Sequence, residues 1–112
     1  MPFPPFFDNL PELDVPFDSS VVTTRAIGSP EALAVFFDIH QDTTLDPHSH
    51  GDQWGTVIRG ELHLTMDGEA HTYRPGESYF IPAGTVHGAT IPAGTQILDV
   101  FAEADRYPVK PR

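Results

Sequence analysis

An all-β sandwich or barrel is the fold class that this sequence predicts, and two observations carry the prediction. Segments rich in β-branched and aromatic residues recur about every 8–12 residues, with glycine- and proline-bearing turns between them. No stretch repeats its apolar residues with the helical period, and Pro30-Glu31-Ala32 has room for one helical turn at most.

The chain opens with a distinct arm, residues 1–17, in which Pro2, Pro4, Pro5, Pro11 and Pro16 alternate with Phe3, Phe6, Phe7, Leu10, Leu13 and Phe17. Proline at that density forbids a helix and disfavours a central strand. Four phenylalanines are out of place in a solvated tail. The arm is therefore expected to lie against the body of the chain, residues 18–112, or against a second copy in a homodimer. Residues 21–27 and 33–41 read as strands, with Gly28-Ser29-Pro30 turning between them. Residues 54–58 and 61–66 flank Arg59-Gly60, and Asp67-Gly68 turns the chain into a strand over 70–74. Strands over 78–81, 87–91 and 95–103 complete the set. Alternation puts Leu62, Leu64 and Met66 on an inward face and His63 on the outward one. His71 and His40 are likewise expected outside.

At 112 residues the chain is long enough for one hydrophobic core and hardly for two. No run approaches the ~20 apolar residues that cross a bilayer. No charged and apolar leader opens the sequence, so the expectation is a cytoplasmic protein with no membrane partner. The absence of cysteine excludes disulfides, thiolate metal sites and thiol nucleophiles. A net charge of −10, with only six lysines and arginines, argues against nucleic acid as a partner.

Chemistry concentrates in three histidines. Residues two apart in a strand share a face, so His48 and His50 in Pro47-His48-Ser49-His50 would present two imidazoles side by side. Gly76, Pro82 and Gly84 form a string of turn-forming residues that delivers a third imidazole, His87. Three such ligands from two segments suit one divalent metal.

These segments resemble the two motifs of the cupin superfamily. The first family motif is His-x-His, a Glu, six residues and a Gly; here it reads His48-Ser49-His50-Gly51-Asp52-Gln53, six residues, then Gly60. Gln53 fills the position of the Glu, and the gap after His50 is short. The second motif, Gly, five residues, Pro-x-Gly, two residues and His, is matched in full from Gly76 through Pro82 and Gly84 to His87. The family's closing Asn falls on Ile91. The resemblance covers residues 46–91. It implies a jelly-roll β-barrel, the cupin double-stranded β-helix, holding one divalent transition metal on His48, His50, His87 and Gln53. Asp52 competes for the fourth position, although strand alternation turns it away. Nickel, copper, zinc, iron and manganese all accept imidazole and amide donors.

Such a site leaves coordination positions open. The resemblance thus implies a mononuclear metal-dependent enzyme of dioxygenase, decarboxylase or isomerase type, acting on a small chelating organic molecule. The alternative is a non-catalytic module that binds a metal or a small ligand. Asp99, in the apolar run Ile97-Leu98-Asp99-Val100-Phe101, is a candidate general base if it faces a polar cavity. Otherwise it is a structural carboxylate paired with Arg25 or Arg59. Tyr79, Phe80 and Trp54 are candidates to line a pocket, or else core residues.

Overall fold

Alternating burial sets the architecture. In the computed structural model, which describes residues 2–111, Val22, Thr24 and Ala26 are buried along β1 (Val22–Gly28), while the residues between them face outward. The same alternation runs through β2 (Leu33–Ile39), β4 (Gln53–Arg59), β5 (Leu62–Met66) and β7 (Ser78–Ile81). β3 (Thr43–His48), β6 (Glu69–Tyr73), β8 (His87–Ile91) and β9 (Gln96–Phe101) complete two antiparallel sheets. One has the order β1-β2-β9-β4-β7 and the other β3-β8-β5-β6. Val22, Ile39, Val57, Ile81 and Ile97 of the first sheet pack against Leu62, Leu64 and Ile91 of the second. The Asp67-Gly68 corner between β5 and β6 has positive φ at both residues, 48° and 83°, as a two-residue hairpin turn requires.

The proline-rich arm holds a short 3-10 helix, Pro5–Asn9, where the density of prolines argued against any helix. The reason is local. Pro5 occupies the first turn, where no backbone N–H is needed, and the next proline is Pro11, beyond the helix. Phe7 packs against Phe36 of β2 with ring centroids 4.8 Å apart and the rings tilted, and Leu13, 1% exposed, joins a core with Ala26, Leu33, Val35 and Phe101. The backbone N–H of Leu13 donates to Thr24 Oγ1 and that of Ala26 to the carbonyl of Pro11. A bridge between Leu13 and Val109 ties the two ends of the chain together.

Other differences from the sequence reading are small. Pro30 and Glu31 form a bend instead of a helical turn, because Ser29 Oγ accepts the N–H groups of both Glu31 and Ala32. Strand β2 stops at Ile39 and β9 at Phe101. Among the described residues, no helix is long and apolar enough to cross a membrane.

Candidate metal centre

The two histidine-bearing segments meet at the edge of the four-stranded sheet. His48, the last residue of β3, pairs with His87, the first of β8. Pro47 is tolerated because β3 is an edge strand, and the pairing slips between Leu45 and His48. Gly88 lets that slip come close, since a Cβ there would sit 2.8 Å from the Leu45 carbonyl. His50 does not continue the strand, as the His-x-His spacing implied; it lies in the loop before β4. The loop brings it to the same point. Gly84 N–H donates to the His50 carbonyl at 2.9 Å, and Ala83 N–H to Asp52 Oδ1 at 2.7 Å. Asp52 is exposed, accepts this bond with one carboxylate oxygen, and does not join the group formed by the three histidines.

The three imidazoles form one cluster. Ring centroids are 5.4 Å apart for His48 and His50, 4.3 Å for His48 and His87, and 4.8 Å for His50 and His87. One ring nitrogen from each lies within 4.8 Å of the other two, an arrangement capable of coordinating a metal ion. The other nitrogen is pinned in every case. Nδ1 of His48 bonds to the Asp46 carbonyl at 2.7 Å, that of His50 to the Gly51 carbonyl at 2.9 Å, and that of His87 to the Thr85 carbonyl at 2.9 Å. A carbonyl only accepts, so each Nδ1 carries the proton and each Nε2 keeps its lone pair. Burial, ahead of the opposing backbone hydrogen bonds, lowers the pKa of His50 and His87, which favours the neutral ring that binds metal. Nε2 of His50 is buried without a hydrogen-bond partner, the mark of an atom shaped for another ligand.

Beside the cluster lies a buried polar row. Gly55 of β4 stands in register between Tyr79 of β7 and Asp99 of β9. With no side chain at Gly55, the Tyr79 hydroxyl reaches across and donates to Asp99 Oδ1 at 2.5 Å. Gln53, two residues earlier on the same face, is buried and also hydrogen-bonds Asp99. Burial pushes Asp99 up to about 6, against the lowering effect of the Tyr79 and Gln53 bonds. Burial, then the Asp99 charge, raises Tyr79 well above the usual phenol range. Neither arginine that the sequence offered reaches Asp99: Arg25 pairs with Glu12 and Asp8 on the outside, and Arg59 is exposed.

Histidines and polar row share a cavity between the sheets whose empty volume, open mouth included, is about 700 Å³. Its remaining wall is mostly apolar, with Phe17 of the arm, Phe101 and Tyr107 among the lining residues. Tyr79 faces this space, whereas Trp54 and Phe80 point outward at 42% and 54% exposure. His40 and His63 bond to Thr23 and Thr72 away from the cluster, and His71 lies near Glu69. Sequence reasoning missed the segment after β9. There Glu103 Oε1 accepts the Gly51 N–H at 2.6 Å, and Arg106 stacks over Tyr107 at 4.4 Å. No period or motif marks those residues.

Two antiparallel sheets around a cavity bearing a three-histidine cluster define a β-protein with a site compatible with a mononuclear metal. The cupin domain family matches residues 35–101, and the chain belongs to that family. It is similar to an RmlC-like cupin from Shewanella frigidimarina, at 26% identity and TM-score 0.75, with 88% of each chain covered. It is also similar to KdgF from Halomonas sp., at 24% identity and TM-score 0.72, with 85% of this chain and 87% of that one covered. A variant of oxalate decarboxylase from Bacillus subtilis shares the fold at 17% identity and TM-score 0.68; 88% of this chain corresponds to 29% of that one. No curated protein matches the chain.

Proposed function

We propose that residues 18–112 close into a jelly-roll barrel that holds one divalent transition metal, and that the protein is a metal-dependent enzyme acting on a small chelating molecule. The ligands in this reading are Nε2 of His48, His50 and His87 together with the amide oxygen of Gln53. One observation carries it: three Nδ1 atoms are committed to backbone carbonyls, so three lone pairs converge on one point. The Gln53 amide group that donates to Asp99 uses only its nitrogen and keeps its carbonyl oxygen for the metal.

Of the three reaction types the fold family offers, proton transfer within an isomerase-type reaction fits these residues best. When bound, a divalent metal supplies Lewis-acid polarisation of a substrate oxygen and a positive field that favours ionised Asp99. Asp99 is buried, lines the cavity and is perturbed toward the pH range in which a carboxylate exchanges protons efficiently. Tyr79 holds one carboxylate oxygen in place. The apolar wall excludes water from the reacting atoms. Outward-facing Trp54, Ile58 and Phe80 support a homodimer formed through the outer face of the five-stranded sheet.

The test has two parts. Protein purified without chelator is expected to carry close to one metal per chain, lost in His48→Ala. Metal-loaded protein in D2O is then expected to exchange the carbon-bound proton next to the carbonyl of 2-oxo acids, followed by NMR, and Asp99→Asn to abolish the exchange. Exchange that persists in Asp99→Asn removes Asp99 from the mechanism. A chain that takes up no metal on titration is instead the non-catalytic module.

A further inference from the structure

Nearly every polar side chain that lines the cavity is already committed. Thr43 Oγ1 donates to the Gln41 carbonyl, and the Tyr79 hydroxyl and the Gln53 amide both bond to Asp99. The three histidines spend Nδ1 on backbone carbonyls, and their Nε2 atoms are accounted for by the metal reading. Tyr107 is the exception. Among the described residues its hydroxyl has no hydrogen-bond partner, and the contacts of its side chain are those of the ring. The unpaired side-chain atoms sealed from solvent are His50 Nε2 and Arg106 Nε, so the Tyr107 hydroxyl keeps accessible surface. A tyrosine in an apolar wall normally finds a partner for its O–H, and one left open in a cavity is placed to meet a ligand.

The ring is fixed from several sides. The Arg106 guanidinium lies 4.4 Å from its centroid, and Phe101 and Phe37 make T-shaped contacts with centroids 5.8 and 6.5 Å away. The backbone just past Tyr107 is zipped to the arm: Asp14 N–H donates to the Pro108 carbonyl at 2.7 Å and Lys110 N–H to the Glu12 carbonyl at 2.8 Å, around the bridge between Leu13 and Val109. Val15 and Phe17, next along the arm, line the same cavity. Burial raises the pKa of the Tyr107 phenol; Arg106 opposes this and the Asp99 charge adds to it, so the hydroxyl stays protonated and lies within electrostatic reach of Asp99. The remaining lining is apolar and holds no lysine or arginine.

We infer that Tyr107 is a specificity-determining residue of this cavity and that its hydroxyl bonds to an uncharged oxygen of the substrate, outside the pair of oxygens that chelates the metal. The inference rests on the proposed metal site and adds the class of substrate: a small 2-hydroxy or 2-oxo acid that carries a further hydroxyl group. The further group is uncharged because the lining offers it no cation, while Asp99 disfavours a second negative charge nearby. A phenol both donates and accepts, as does the hydroxyl it would meet. A single polar group in an otherwise apolar wall is how a pocket fixes the orientation of a small ligand.

The experiment is calorimetric titration of 2-hydroxy acids of three to six carbons that carry one further hydroxyl, each beside the same acid without it, into wild type and Tyr107→Phe, with and without manganese. At least one hydroxylated acid is expected to bind the manganese-loaded wild type about fivefold more tightly than its counterpart. Tyr107→Phe should erase that preference and leave the affinities for manganese and for the counterpart unchanged, a pattern that loss of a merely structural group would not produce. Equal affinity within every pair in the wild type, a preference that survives in Tyr107→Phe, or no binding of any acid overturns the inference. A chain that takes up no manganese defeats the metal reading, and the preference and its dependence on Tyr107 are then read in the metal-free titration. Phenylalanine keeps the ring and its packing, and thermal melts of the variant confirm that a lost preference comes from a folded protein.

Discussion

Replacing Gly55 by alanine tests the buried row beside the histidines. On most strand positions the change is mildly favourable, since glycine in a strand costs roughly 0.5–1 kcal/mol relative to alanine. Here the sign reverses. A Cβ on Gly55 would overlap Asp99 Oδ1 and the Cζ and Oη of Tyr79. All three atoms belong to side chains packed between the sheets, so none can swing into solvent. Overpacking of this kind costs about 1–3 kcal/mol. Prising Tyr79 from Asp99 leaves a buried acceptor unsatisfied and adds about 1–3 kcal/mol. A loss of about 2–6 kcal/mol results, a large share of the roughly 5–15 kcal/mol of an ordinary domain. At about 4 °C per kcal/mol, the melting temperature should fall by about 8–24 °C. Urea denaturation followed by the fluorescence of Trp54 measures the free energy directly, with Gly55→Ala/Tyr79→Leu as the paired variant. Removing the ring should relieve most of the alanine's cost, a coupling above about 1 kcal/mol. A single variant within about 0.5 kcal/mol of wild type would show that Tyr79 and Asp99 do not lie over Gly55, and the account of the polar row would fall.

Four further expectations concern charge and ligation. Asp99, at about 6 in the folded chain against 3.8 as its ordinary value, stabilises the metal-free fold fully only below the lower value; that contribution is lost as pH rises through about 6. The two-unit displacement corresponds to roughly 3 kcal/mol, and Asp99→Asn should flatten this part of the stability profile measured by denaturation between pH 4 and 7, a range set by these values. Because His50 and His87 are held below the usual imidazole value, bound metal should persist as pH falls below ~6.5 and leave only in more acidic solution, as equilibrium dialysis would show. His87→Ala should lose the metal and keep the fold, since the core clusters are built without that ring; unfolding of the variant would make the metal structural. Gln53→Glu should tighten manganese or iron binding but weaken the metal-free fold, because it sets a second carboxylate against Asp99 in place of an N–H donor.

What the sequence made legible was local. Period-two burial marks β5 through Leu62 and Leu64, and Asp67-Gly68 writes its own hairpin. The three histidines were visible because their spacing and their turns lie within short segments. The arm's 3-10 helix was missed because proline was counted by density instead of by position, and Pro5 sits at the one place a helix accepts it. The partner of Asp99 was missed for a different reason. Tyr79, Gly55 and Asp99 are neighbours only because β4 lies between β7 and β9, and that strand order is a property of the whole sheet. The sequence offers arginines as partners for Asp99, whereas the row is made by the side chain that Gly55 lacks.

The same distinction explains why the histidine cluster does not require His50 to lie on a strand. The carbonyls that orient the three rings come from Asp46, Gly51 and Thr85, each within two residues of its own histidine. Each ring is thus aimed by its own stretch of backbone, and the Gly84 and Ala83 N–H groups then lock the two loops together. Convergence of the lone pairs follows from main-chain geometry that folding sets before any ion arrives. Metal binding should therefore cost little conformational entropy and leave the far-ultraviolet circular dichroism unchanged. A large gain in ordered structure on metal addition would show that the cluster forms only around its ion.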